Sequence, residues 1–148
     1  MSQPLLNIND LSIGYHNKSG KLVYVLKNIS LQIKPGETVG LVGESGSGKS
    51  TLGHAMMGYL RPGSRVLGGL VQYDGRDMFA LTPRQLESIR GNKIALIPQN
   101  AGKSLTPTIL IGQQIIESIE YNANVPKNAV EDRMLELLAQ VQLPNPAE

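Results

Sequence analysis

The sequence predicts a mixed α/β fold, β-rich over its first hundred residues and α-rich after them. Three features point there. Apolar residues alternate in the first third of the chain, a glycine-rich stretch joins a short apolar run to a helical pattern, and two amphipathic helical patterns follow residue 100.

Leu6, Ile8, Leu11 and Ile13 recur mostly at every second position, and Val23, Val25, Ile29, Leu31 and Ile33 repeat the pattern, so both stretches read as half-buried antiparallel strands. The turn Lys34-Pro35-Gly36-Glu37 ends them. Residues 38–42 then read as a short, fully buried strand that runs into the glycine-rich stretch. Leu52, Ala55, Met56, Tyr59 and Leu60 predict a helix over 49–60, stopped by Pro62-Gly63. Another strand is expected over 66–73, closed by the turn pair Asp74-Gly75. Thr82-Pro83-Arg84-Gln85 combines an N-cap residue, proline at the first helical position and glutamine three residues after the cap, which predicts a short helix to about Arg90. Residues 94–97 read as a second short apolar strand ending at Pro98-Gln99-Asn100. Helices are expected over 109–121 and 127–143, the second with Val130, Met134, Leu137, Leu138 and Val141 on one face, and Pro144 and Pro146 follow it. The expected division is a β-rich core over 1–100 and the beginning of a helical subdomain over 101–148.

Composition narrows the class. A chain of 148 residues with 41% hydrophobic and 18% charged residues has the make-up of a globular domain. Fourteen basic residues against twelve acidic ones, with no block of like charge, do not point to a nucleic-acid or anionic-lipid partner. Without cysteine there is no disulfide framework and no thiolate metal site. No charged and apolar leader opens the sequence, and no window approaches the roughly 18 apolar residues that cross a bilayer.

The stretch Gly43-Glu44-Ser45-Gly46-Ser47-Gly48-Lys49-Ser50-Thr51 carries the chemistry. Gly43, Gly48, Lys49 and Ser50 fit the P-loop spacing of a glycine, four free positions, Gly-Lys and Ser or Thr. Lacking Cβ atoms, Gly46 and Gly48 can turn successive backbone N–H groups inward around an anion. The helix that follows points its positive end at the same place, Lys49 can reach β and γ phosphates, and the Ser50 hydroxyl can ligate Mg²⁺. A flexible Gly/Ser turn is the bland alternative; an apolar strand before and a helix after favour the phosphate loop. His16, His54, Asp74 and Asp77 are assigned no function: His54 has no second ligand-like residue nearby, and carboxylates in or near turns usually cap the backbone.

Together with NISLQIKPGETVGLVG before the loop, YDGRDMFALTPRQLESIRGNKIALIPQN after it and SLTPTILIGQQIIESI beyond, the chain resembles the ATP-binding subunits of ABC transporters, in the group that energises uptake of dipeptides, oligopeptides or nickel. The resemblance implies a P-loop NTPase core of ABC ATPase type, with an antiparallel β subdomain and the start of a helical subdomain. It implies ATP and Mg²⁺ as ligands, held around Gly43, Glu44, Ser45, Gly46, Ser47, Gly48, Lys49, Ser50 and Thr51. Tyr15 takes the place of the aromatic residue that stacks on adenine. Gln99 matches the glutamine that contacts Mg²⁺ and the attacking water, although Pro98 stands where the family has an aromatic residue, and Asn100-Ala101 where it has Asp-Pro.

The implied partners are a second ABC ATPase subunit, the transmembrane permease subunits and, through them, an extracytoplasmic substrate-binding protein; the implied location is the cytoplasmic face of the membrane. The family's Asp-Glu strand, its Leu-Ser-Gly-Gly-Gln signature and its later histidine have no counterpart here, and Leu67-Gly68-Gly69-Leu70 only echoes the signature inside a strand pattern. The leading expectation is therefore the N-terminal, ATP-binding part of an ATPase subunit that energises import of peptides or nickel, an ATP hydrolase as a whole protein, with this stretch poorly stable and not hydrolysing alone. A non-hydrolysing nucleotide-binding module and a non-transport ABC-type ATPase are the alternative readings.

Overall fold

Strand β1, Leu6–His16, is paired on both sides, and that places it inside its sheet. The computed structural model describes residues 3–122 and 125–142. Its chain divides into two compact units between Arg90 and Gly91. In the first, β1 lies between β2, Leu22–Ile33, and β3, Ser64–Tyr73, and the two-residue β4, Arg76–Asp77, completes an antiparallel sheet of order β2-β1-β3-β4. The alternation read from the sequence is the reason. Ile8 stands opposite Leu31 and Val71, Ile13 stands opposite Leu26 and Val66, and Ile8, Leu11, Ile13 and Val71 are almost wholly removed from water.

β1 is not regular throughout. Its register slips on both sides near Asp10, which has φ 49°, and the facing Asn28 has φ 51°. Hydroxyl groups take over where the ladder breaks. The Asp10 N–H donates to Ser30 Oγ at 3.0 Å, and the Asn28 N–H donates to the buried Ser12 Oγ at 3.0 Å. The pair Gly68-Gly69 belongs to this irregularity, because a side chain at Gly69 would run into the backbone of Asn9 and Asp10. The turn pair Asp74-Gly75, with φ 49° and 74°, closes the hairpin to β4 as its residue types demand.

Two helices complete this unit. α1, Lys49–Met56, buries Leu52 and Ala55. It stops four residues short of the expected end, because Gly58, at φ 67°, closes it first: its N–H reaches the Ala55 carbonyl and the Tyr59 N–H the His54 carbonyl, each at 2.9 Å. α2, Pro83–Ile89, forms as its opening residues predict, with the Thr82 and Gln85 side chains and backbones capping one another. At its end Arg90 turns back to α1 and donates to the carbonyls of Met57 and Gly58 at 2.8 and 2.9 Å.

In the second unit, α3, Ile111–Asn122, packs on α4, Val130–Gln140, with Ile119 and Val130 buried. Gln114 ties down the turn before α3, accepting from the Thr106 N–H and donating to the carbonyls of Thr106 and Ile109. Of the face expected on α4, Val130, Met134, Leu137 and Leu138 are buried or half-buried, whereas Val141 is exposed past the helix end. Leu143 and the prolines 144 and 146 lie outside the described residues. No helix among those described is long and apolar enough to cross a membrane.

Two expected strands require correction. Residues 38–42 and 95–97 lie outside regular secondary structure, with Val42 99% and Ile97 89% exposed, and Ile94 makes only an isolated bridge. An apolar run becomes a buried strand only where neighbouring strands take up its N–H and C=O groups. Among the described residues, the four-stranded sheet includes neither segment.

Candidate functional site

The glycine-rich loop leads into α1, whose N-cap is Gly48. Gly48 has φ 93°, and a Cβ there would lie 2.7 Å from Leu26 Cδ2 and 3.0 Å from the Val25 carbonyl oxygen. Only a residue without a side chain lets the loop lie this close to β2. Gly46, at φ 85°, bends the loop in the same left-handed sense.

A glycine cap has a second effect, because it brings no side chain to the first turn. The N–H groups of Lys49, Ser50 and Thr51 have no intrahelical acceptor, since the ladder begins with the Leu52 N–H on the Gly48 carbonyl at 2.9 Å. The first turn also holds no acidic residue. This helix end therefore presents unsatisfied donors and the positive pole of the helix dipole, equivalent to about half a unit charge.

Lys49 adds a full charge. Its ammonium donates to the carbonyls of Gly43 and Glu44, each at 2.6 Å, and to Ser47 Oγ at 3.2 Å. All three ammonium hydrogens are thereby used. Every acceptor is a neutral dipole, and no carboxylate pairs with Lys49 among the described residues. The loop at 43–47 is exposed. Free N–H donors, a helix pole and a lysine held only by exposed neutral oxygens make a site suited to a multiply charged anion with several acceptor oxygens.

Ser50 is exposed on the first turn, open to a cation held against such an anion. No group of three or more His, Asp or Glu side chains among the described residues is placed to hold a metal by itself. That donor set fits Mg²⁺, which is commonly held by a few protein oxygens together with phosphate and water.

Tyr15 lies on β1 beside the part of β2 that Gly48 approaches. It stands opposite Val23 on β2, two residues before the Val25 carbonyl that abuts Gly48, a separation of roughly 7 Å along the strand. Tyr15 is 39% exposed. Gln99 belongs to the second unit, exposed in a bend after residues 95–98. The residues set aside in the sequence have structural surroundings. His54 meets Tyr59 edge to face at 5.5 Å, Asp74 occupies a turn, and Asp77 accepts the Phe79 N–H. Arg90 carries no functional signal in the sequence. A lone basic residue at a helix end is commonplace in sequence, and only the fold reveals which carbonyls it meets.

The model of the family described as ABC transporter matches residues 26–148. The oligopeptide transport ATP-binding protein OppD of Lactococcus lactis subsp. cremoris is 37% identical over 98% of this chain and 43% of its own length. The peptidoglycan transport ATP-binding protein YejF of Agrobacterium fabrum is 38% identical over 98% of this chain and 27% of its own length. For the dipeptide transport ATP-binding protein DppD of Escherichia coli K12, identity is 36% over 97% of this chain and 43% of that protein. The chain thus spans less than half the length of these curated relatives. Among solved structures, the dimeric post-hydrolysis state of the ATP-binding cassette MJ0796 bound to ADP and Pi superposes with a TM-score of 0.78 and 25% identity, over 95% of this chain and 58% of that one.

Proposed function

The chain belongs to the ABC transporter family, and from that premise we propose that it is the ATP-holding part of a subunit that energises peptide import. The observation that carries this reading is the closure of Lys49 over an uncapped helix start, among acceptors that an anion can displace. The names of OppD and DppD support a peptide as the cargo.

In this reading the backbone N–H groups of residues 45–51 donate to the phosphates of ATP, and Lys49 exchanges its carbonyl partners for phosphate oxygens. The Ser50 hydroxyl is the protein ligand to Mg²⁺, and the Tyr15 ring stacks on adenine. For Gln99 the proposed contact with Mg²⁺ and the attacking water rests on sequence resemblance. The cofactor's own contribution is the phosphoanhydride bond whose hydrolysis drives transport. A second ATPase subunit, permease subunits and an extracytoplasmic binding protein are the proposed partners, with the protein peripheral at the cytoplasmic face of the membrane.

The test has two arms. Titration with a fluorescent ATP analogue should show saturable binding that Lys49→Ala removes; equal binding by the variant would sink the phosphate assignment. ATP-dependent uptake of a labelled oligopeptide into cells should fall to background when the protein carries Lys49→Ala, and unchanged uptake would refute the transport role.

A further inference from the structure

Helix α1 is finished differently at its two ends. At its start no side chain caps it, and three N–H groups are without helical acceptors. At its other end Gly58 and Tyr59 close the backbone, and the Arg90 guanidinium adds a fork, Nε to the Met57 carbonyl at 2.8 Å and Nη2 to the Gly58 carbonyl at 2.9 Å. Between these ends the helix buries only Leu52 and Ala55. Eight residues span about 12 Å, so a small rotation about two buried side chains would swing the loop end out of register.

We infer that Arg90 is a positioning residue for the phosphate loop: by clamping the far end of α1 to the end of α2, it fixes the direction in which the first-turn N–H groups point. Three observations converge on this role. The fork is planar and two-pronged, so it constrains orientation as well as distance. The carbonyls it takes follow directly on the helix, where a cation also suits the negative pole. The contact is part-buried and tightly packed from the α2 side, since a Cβ on Gly58 would lie 3.0 Å from both Leu86 Cδ2 and the Met78 carbonyl oxygen. Arg90 also directly precedes the unit that carries Gln99, so the residue that holds α1 is the covalent root of that unit.

The inference builds on the reading of the loop as an ATP site, and the experiment keeps the two apart. In ¹⁵N–¹H spectra of the ligand-free protein, Arg90→Met and Arg90→Lys should shift the amide resonances of Lys49, Ser50 and Thr51. Ile89→Val, a change in the neighbouring buried side chain that leaves the fork in place, should not. Titration with ATP and Mg²⁺ should then show affinity about tenfold weaker in Arg90→Met, with partial recovery in Arg90→Lys, which keeps the charge but loses the fork. Where the Met variant does not fold, the Lys variant decides.

Loop resonances that stay in place in a folded Arg90 variant, or affinity equal to that of the wild type, overturn the positioning role. A wild-type chain that binds no ATP overturns the ATP reading instead, while the ligand-free spectra still decide the role of Arg90.

Discussion

The Lys49 ammonium donates to the Gly43 carbonyl over 2.6 Å, joining the residues that bracket the central part of the glycine-rich loop. This bond separates binding from folding. The carbonyls of Gly43 and Glu44 are exposed, so water replaces Lys49 there at little cost. With charge-assisted bonds each worth about 1.5–3 kcal/mol, Lys49→Ala should weaken ATP binding at least about tenfold. The melting temperature should move by no more than about 2 °C. Calorimetric titration and thermal unfolding of one preparation test both halves, and a large loss of stability with affinity intact would contradict them.

Two glycines of α1 and its cap should respond in opposite directions to the same change. Gly48→Ala forces a side chain into φ 93° and against Leu26, at a cost of about 2–3 kcal/mol, and it should displace the loop enough to weaken ATP binding as well. Gly53 is inside the helix with open space at its Cβ position, so Gly53→Ala should stabilise by about 0.5–1 kcal/mol and leave binding unchanged. Chemical denaturation of the three proteins gives the comparison. Equal effects at both positions would mean that Gly48 is not constrained as described.

How far the sequence is legible depends on whether a feature is local. The Thr82–Gln85 capping box and the Asp74-Gly75 turn form as read, because each is decided within four residues. The alternation in β1 and β2 is likewise enough to pair them. The two apolar runs at 38–42 and 94–97 look like buried strands, yet strand formation depends on distant partners that the runs do not name. Gly58 ends α1 ahead of the more conspicuous Pro62-Gly63, since a glycine two residues past a helix can close it through the backbone alone. In the site, the glycine spacing and Lys49 are visible from sequence, whereas the wall formed by Val25 and Leu26 and the fork of Arg90 come from tertiary packing.

Where the β1–β2 ladder slips, Ser12 does the work of a backbone group. Its Oγ accepts the Asn28 N–H at 3.0 Å and lies 3.3 Å from Asn28 Oδ1, while Ser12 itself is 8% exposed. Ser12→Ala removes the acceptor and strands the N–H, so the loss should be about 1–3 kcal/mol. Hydrogen exchange at Asn28 should accelerate by a larger factor than at Ile8, which lies beyond the irregularity. Equal acceleration at Asn28 and Ile8 would mean that the hydroxyl is not a local staple.

In the proposed stacking of Tyr15 on adenine, the ring matters and the hydroxyl does not. Tyr15 follows the buried run at 11–14, is itself exposed and has Val23 across from it, so the side chain adds little to the core. Tyr15→Phe should therefore keep ATP affinity within about twofold, whereas Tyr15→Ala should weaken it by about 1–3 kcal/mol, the range for an aromatic ring stacked on a base. Inorganic triphosphate has no base to stack, so its affinity should be the same in all three proteins. Parallel titrations with ATP and triphosphate discriminate sharply: loss of both ligands in Tyr15→Ala would mean that the substitution disturbs the loop, and loss of neither would remove Tyr15 from the site.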